Sequence, residues 1–331
     1  DFSNQNTCKN NVWLNLSSAY GTDENFTAYG TNENITQQGC LSTRGIIGHS
    51  NAAYFSHGAG FPEDQKLLMR GIGVHHNFYD SCNHRMPLIG SNNAAVINTV
   101  TSNADYYFSS FAKGCIVDYI GNEMLEGANS SSNPYLIQSR HAISNSGVNN
   151  RDPSIMVKDN VSSVGHDHGD ASQWSMVHDY VESGAHSTSN VAWERTSKIV
   201  DSVLYPDYPN LKIHDITLVN EIIVQDSGNS RFINEDGRWE RYRHPLDQIA
   251  IDNYANRTGL QPTDAVAEAE LDANVGTFVT QYATTHHMSD KWLTHHGITG
   301  TETEMLWGND LDPNWANFWC FAFGLYPVPL V

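Results

Sequence analysis

Val74-His75-His76-Asn77-Phe78-Tyr79-Asp80-Ser81-Cys82-Asn83-His84-Arg85-Met86-Pro87-Leu88 opens as a short β-rich run, passes through a polar turn and delivers one arginine just ahead of a proline. The same grammar continues on either side. Short apolar or β-branched runs alternate with Asn-rich turns, and no long amphipathic helix separates them. The runs are Asn11-Val12-Trp13-Leu14, Asn34-Ile35-Thr36, Gly73-Val74-His75, Ala95-Val96-Ile97, Cys115-Ile116-Val117, Tyr135-Leu136-Ile137 and Ser154-Ile155-Met156. Their spacing is roughly two dozen residues from Val12 to Ile35 and from Val74 to Ile97, and roughly twenty from Val117 to Leu136 to Met156. Ile35 to Val74 is close to a double interval, with room for one extra coil or a long loop. A unit of this size predicts a solenoid whose coils stack to bury a shared core. Asn and Gly at the corners fit, because tight turns between coils need φ > 0. The alternative is an antiparallel β-sandwich with irregular spacing.

His75-His76-Asn77-Phe78-Tyr79 followed by Asn83-His84-Arg85-Met86-Pro87 resembles the "HHN-(F/L/Y)-(F/Y) … N-x-R-x-P" segment of the pectate lyases. Asn11-Val12-Trp13-Leu14-Asn15 is similar to their "N-V-W-I-D-H" strand. Gly21 to Gly30 followed by Asn34-Ile35-Thr36 is similar to the next coil of a secreted bacterial branch. Val96-Ile97-Asn98 and Val117 to Asn122 resemble later "V-x-x-x-N" coils. The resemblance covers about residues 10–165 and implies an all-β fold, a right-handed parallel β-helix with a mixed loop and helix C-terminal extension. It also implies β-elimination of a uronic-acid polymer such as polygalacturonate, assisted by Ca²⁺. In that scheme Arg85 is the base or, since a guanidinium stays protonated, a bidentate clamp on the substrate carboxylate. His76, Asn83 and His84 would line the substrate. Asp23, the better match, and Glu24 fall where the family places a calcium carboxylate. Three positions depart from the pattern: Asn15-Leu16 replaces an Asp-His pair, Asn51 stands where a lysine is expected, and Gly90 replaces a second arginine.

Composition bounds the partners. The 331-residue chain carries a formal net charge of −19. Residues 1–150 hold 11 acidic and 7 basic side chains of the 37 and 18 in the whole chain, so the excess of acid lies in 151–331. That balance argues against nucleic acid and disfavours long-range attraction of a polyanion. No run of eighteen or more apolar residues is present, so no membrane span is expected. Cys8, Cys40, Cys82, Cys115 and Cys320 are an odd, sparse set that leaves room for one or two bridges. Sequons begin at Asn15, Asn25, Asn34, Asn129, Asn160 and Asn256. The chain opens at Asp1 in what reads as mid-protein, a processed or truncated product. A coil stack starting at Asn11 would be covered by a retained upstream fragment or by a second copy.

Three regions are expected: a β-helix over 1–165, a late coil, loop and helix extension over 166–260, and a tail over 261–331. Gly45 to Leu67 suits a projecting loop. Val191 to Leu204 has room for a short helix, and Asn220-Glu221-Ile222-Ile223-Val224 reads as a strand. Pro245 to Gly259 is the clearest helix, with proline in the first turn and glycine at the stop. In the tail, Asp310 and Asp312 belong to an Asp-rich stretch similar to calcium-binding tails of secreted enzymes. His166-Asp167-His168 with Asp170 is a candidate for a transition metal, and His286-His287 and His295-His296 add two more pairs. Two functions stand side by side: a secreted lyase of the pectate lyase type, or a non-catalytic β-helix protein for extracellular carbohydrate binding, adhesion or assembly.

Overall fold

The computed structural model describes residues 9–56, 70–112, 114–131, 135–141, 153–181, 193–197, 213–274, 284–285, 288–299, 317 and 321. The chain winds in coils of three strands. The first coil is β1 (Lys9–Leu14), β2 (Ser17–Ala19) and β3 (Glu24–Tyr29), and the second is β4 (Glu33–Gln38), β5 (Leu41–Thr43) and β6 (Asn51–Ser56). β7 (Arg70–His75), β8 (Phe78–Asp80) and β9 (Leu88–Gly90) follow, then β10 (Asn92–Ile97), β11 (Val100–Ser102) and β12 (Tyr107–Ala112). The last full coils are β13 (Ile116–Ile120), β14 (Glu123–Leu125) and β15 (Tyr135–His141), then β16 (Ser154–Lys158), β17 (Val161–Ser162) and β18 (Val177–Val181). β19 (Trp193–Glu194) adds one more strand. Like strands of successive coils pair in parallel, giving a first sheet β1-β4-β7-β10-β13-β16-β19, a second β2-β5-β8-β11-β14-β17 and a third β3-β6-β9-β12-β15-β18. This is a right-handed parallel β-helix with a helical C-terminal part.

Parallel pairing without register slip places like residues above one another, and the interior is built from such columns. Ile35, Ile72, Ala94, Val117 and Ile155 share one register position of the first sheet, and all are fully buried. Trp13 packs its ring 6.0 Å from Phe26 and 5.7 Å from Phe55, closing one end of the described core. Each fully buried large apolar side chain here contributes about 1.5–3 kcal/mol.

The corners explain the abundance of asparagine. Between the first and second sheets each coil turns on one left-handed residue: Asn15, Gly39, His76, Asn98, Gly121 and Asp159, with φ from 45° to 63°. Asn and Gly tolerate this region best. The residue that follows the turn is a buried asparagine in three coils. Asn77, Asn122 and Asn160 each reach the preceding coil, with Nδ2 donating to the carbonyls of Gln37, Val96 and Tyr119 at 3.0, 3.0 and 3.1 Å. Their Oδ1 atoms accept from the backbone N–H of Cys40, Thr99 and Asn122 at 2.8–2.9 Å. The corner into the third sheet repeats the device with Tyr20, Arg44, Ser81 and Asn103 at φ 49–63°.

One expectation about spacing is corrected, and one open alternative is decided. Tyr135–Ile137 lies in the third sheet, so the first-sheet strand after β13 is β16. Ile35 pairs directly with Ile72, so no extra coil fills the double interval. Within the stretch expected as a projecting loop, Asn51–Ser56 is strand β6 and residues 57–69 lie outside the described residues.

Outside the second sheet, Leu41, Phe78 and Val100 form an outward column covered by α1 (Ile216–Asp226) and α2 (Pro245–Asn256), through Ile216, Val219, Ile223, Val224, Ala250 and Ile251. Asn220–Val224, expected as a strand, is the middle of α1. Asp215 caps that helix, its side chain accepting from the Thr217 N–H at 2.9 Å. Trp193–Glu194 is strand rather than helix, and residues 198–204 lie outside the described residues. α3 (Asp264–Asn274) completes the first compact unit, which comprises 1–228 and 246–273.

The second compact unit comprises 229–245 and 274–331. Its described part holds an antiparallel pair, β20 (Arg231–Ile233) with β21 (Trp239–Arg241), and a shorter one, β22 (Thr284–Thr285) with β23 (Met288–Ser289). α4 (Asp290–His296) ends on left-handed Gly297. Ile233, Met288, Trp292, Leu293 and Ile298 form its core. Asp310 and Asp312 lie outside the described residues, as do His286 and His287. No helix among the described residues is long and apolar enough to cross a membrane.

Candidate functional site

Arg85 sits on the connection from β8 to β9 with φ 55°, a left-handed conformation that costs a non-glycine residue energy and needs support. Backbone bonds to the neighbouring coils supply that support. The Arg85 carbonyl accepts from the Ala53 N–H at 3.1 Å, and the Met86 N–H donates to the Phe108 carbonyl at 2.6 Å. The Asn83 N–H donates to the Ser50 carbonyl at 2.9 Å. One coil further, the Asn51 N–H donates to the Asp23 carbonyl at 2.5 Å. Asp23 and Glu24, Asn51, and Asn83 to Arg85 are thereby stacked over three successive coils, at the entrance to the third sheet.

The side chains complete the stack. Arg85 Nη1 lies 2.9 Å from Glu24 Oε1, with the two side chains 16% and 12% exposed. The guanidinium carbon also lies 5.6 Å from the centre of the Tyr54 ring. Asn51 Nδ2 spans the two carboxylates, donating to Asp23 Oδ1 at 3.2 Å and Glu24 Oε1 at 3.3 Å. His49 Nε2 is 3.6 Å from Asp23 Oδ1, and its ring meets His84 edge-on at 5.1 Å. The His84 ring meets Tyr107 at 5.0 Å, and its Nδ1 pairs with Asn83 Oδ1. Asn83 Nδ2 donates to Asp105 Oδ2 at 2.9 Å. Burial, then the neighbouring Asp23 charge, push the Glu24 carboxyl up to about 7 against the opposing pull of Arg85. Of the buried polar atoms without a hydrogen-bond partner among the described residues, two belong to this cluster: Arg85 Nε, a donor, and Asn51 Oδ1, an acceptor.

Asp23, Glu24, Asn83, His84 and Arg85 are therefore brought together, and His76 is not. His76 occupies the left-handed corner between the first and second sheets, with its ring 5.3 Å from His75 and 5.0 Å from His214. Burial holds His75 down at about 4, and burial with the two neighbouring imidazoles holds His76 well below its ordinary value. Asn51, Tyr54, His49 and Tyr107 join the site although no motif marks them. Asn51 alone had a signal, since it stands at the position where the resemblance expects lysine.

Calcium takes about six to eight oxygen ligands. Asp23 and Glu24 offer oxygens of the right kind, but Glu24 is held by a guanidinium. Among the described residues no group of three or more His, Cys, Asp and Glu side chains is placed to hold a metal ion. The donor set does not make a calcium cage on the protein. His166 and His168 do not share a centre either: His166 Nδ1 is 3.7 Å from Asp170 Oδ2, whereas His168 Nε2 is 3.6 Å from Asp167 Oδ1. Cys40, Cys82 and Cys115 are free and buried, and burial pushes all three thiols up to about 12. They take no part in a bridge, and Cys8 and Cys320 lie outside the described residues.

No protein-family model matches the chain, and a search of curated proteins finds no match.

Proposed function

We propose that the protein acts outside the cell on a uronic-acid polysaccharide, cleaving it by β-elimination as its resemblance to pectate lyases implies. The juxtaposition of Arg85 and Glu24, which meet across the coil that carries Asn51 and are flanked by Asn51 and Asp23, carries this reading. A guanidinium stays protonated at any working pH, so Arg85 serves as the clamp for the substrate carboxylate rather than as the base. Glu24 is the proton acceptor, because a base is most effective when its pKa is near the operating pH and this carboxyl is pushed up to about 7. The C5–H bond breaks and its proton passes to Glu24. The electron pair forms the C4–C5 double bond, the C4–O bond breaks, and the leaving oxygen takes a proton from water. Arg85 offsets the charge that builds on the carboxylate during the step.

Polygalacturonate turnover, followed by the ultraviolet absorbance of the unsaturated product, tests the proposal. Wild type is expected to form product, while Arg85→Ala and Glu24→Gln lose it under conditions where circular dichroism shows each variant still folded. A wild type that binds the polymer without forming product would favour the second reading, a non-catalytic carbohydrate-binding β-helix. Asn51 and Gly90, at the positions where the resemblance expects a lysine and a second arginine, favour that reading.

A further inference from the structure

We infer that this site recognises a uronate carboxylate through the Nε edge of Arg85, with no divalent cation between protein and substrate. The inference rests on the uronate reading above and specifies how the charge of the substrate is met. Glu24 occupies Nη1 of Arg85 at 2.9 Å, at the far end of the guanidinium from Nε. Nε is buried without a partner among the described residues. A buried N–H of a charged group is costly to leave unpaired, and a carboxylate is the acceptor that a guanidinium edge fits best, with two parallel bonds. Side-on binding of this kind uses Nε together with the adjacent Nη2, so Glu24 need not leave. The Arg85 side chain keeps part of its surface in solvent.

A second observation defines the rest of the ligand. Asn51 is fully buried, its Nδ2 is spent on Asp23 and Glu24, and its Oδ1 accepts nothing among the described residues. The site therefore offers one vacant donor and one vacant acceptor. A uronate sugar supplies the complement of both, a carboxylate and ring hydroxyls on neighbouring carbons. A neutral sugar can meet both only through hydroxyls and lacks the charged two-bond partner of the guanidinium edge, and a simple dicarboxylate supplies no donor when ionised. A cation is disfavoured on the protein side, because a calcium ion bound at Glu24 would sit against the guanidinium that already neutralises it.

Isothermal titration with trigalacturonate, with its methyl ester as the neutral counterpart, separates these cases. Wild type is expected to bind the acid in excess EDTA with the affinity it shows in calcium. The ester and the variant Arg85→Lys, whose ammonium cannot make the two-bond edge, should each bind about tenfold more weakly or worse. Binding that appears only with calcium overturns the inference, as does an Arg85→Lys protein that binds like wild type. The chelator comparison uses wild type alone, so the test stands even if the variant is poorly folded. Product formation that requires calcium would leave the lyase reading intact and remove only this inference. Absence of both binding and product removes the two together.

Discussion

Asp80 is a fully buried carboxylate that accepts hydrogen bonds from the Ser81 hydroxyl at 2.6 Å and the Ser102 hydroxyl at 2.5 Å. Burial outweighs those bonds and raises its pKa to about 6. The folded protein therefore binds more protons here than the unfolded chain does between pH 3.8 and 6, and stability is lost as pH rises through that window. Glu24 has the same sign over 4.5 to about 7. His75 has the opposite sign. Its folded value of about 4 lies below the ordinary 6.5, so its contribution is present at neutral pH and lost as pH falls from 6.5 toward 4. Acid thus relieves two groups while loading a third, and the wild-type stability profile between pH 4 and 7 should be flatter than the two carboxyls together would make it. Asp80→Asn removes one opposing part. At pH 7 the variant should be more stable, by on the order of 2 kcal/mol, with the serine hydroxyls reoriented toward the amide. The gain should shrink to nothing by pH 4, leaving a steeper acid limb. Urea titrations at pH 4, 5.5 and 7 check this, and an equal difference at all three would contradict the assigned shift.

At the level of elements, the coil corner depends on asparagine for more than its backbone freedom. Asn122 donates to the Val96 carbonyl, accepts from the Thr99 N–H and has its own N–H on Asn160 Oδ1. Asn122→Ala strands a buried carbonyl and a buried N–H while opening a cavity. The expected loss is about 3 kcal/mol, read as a lower urea midpoint. Asn122→Asp should be no better, since the carboxylate cannot donate to Val96. These corners were legible in the sequence because the Asn and Gly positions recur with the β-rich runs. The strands of the first sheet followed from them, since their inner columns are largely apolar, with buried Gln37 an exception in the column of Trp13, Val74 and Val96. Tyr135–Ile137 was misplaced because one spacing cannot tell the three sheets of a coil apart when insertions lengthen it. Asn220–Val224 reads as strand on β-branched content, yet Asp215 as cap and apolar residues at 216, 219, 223 and 224 carry the helical period. The site was legible only where a linear motif crossed it. Asp23, Glu24, Asn83, His84 and Arg85 lie on such motifs, whereas Tyr54 and His49 enter through coil stacking that no local pattern encodes. His76 lies on the motif but is turned into another corner by its left-handed backbone.

Across the whole first unit, the chain leaves the β-helix after Gly228 and returns at Leu246 to lay a helical strap along it. The strap is fastened at the corner into the third sheet. Arg44 meets Glu270 with two bonds, Nη2 to Oε1 at 2.5 Å and Nε to Oε2 at 2.9 Å, and the Tyr20 hydroxyl donates to Oε2 at 2.6 Å. The Arg44 side chain is only 6% exposed, so this is not a solvated surface pair. Further along, Gln261 Nε2 donates to Ser50 Oγ at 2.8 Å, and the Ser50 carbonyl receives the Asn83 N–H of the candidate site. Strap and site thus share a residue. Glu270→Ala leaves a buried guanidinium without its carboxylate and should cost about 3 kcal/mol, well above the 0–1 kcal/mol typical of exposed pairs. Replacing both partners, Arg44→Met with Glu270→Leu, removes the uncompensated charge and should recover most of that loss. Urea unfolding of the two proteins makes the comparison. If the single variant were as stable as wild type, the strap would be held by the apolar column under α1 and α2 alone. If the double variant were no better than the single, the cost would come from lost packing at the corner rather than from the stranded charge.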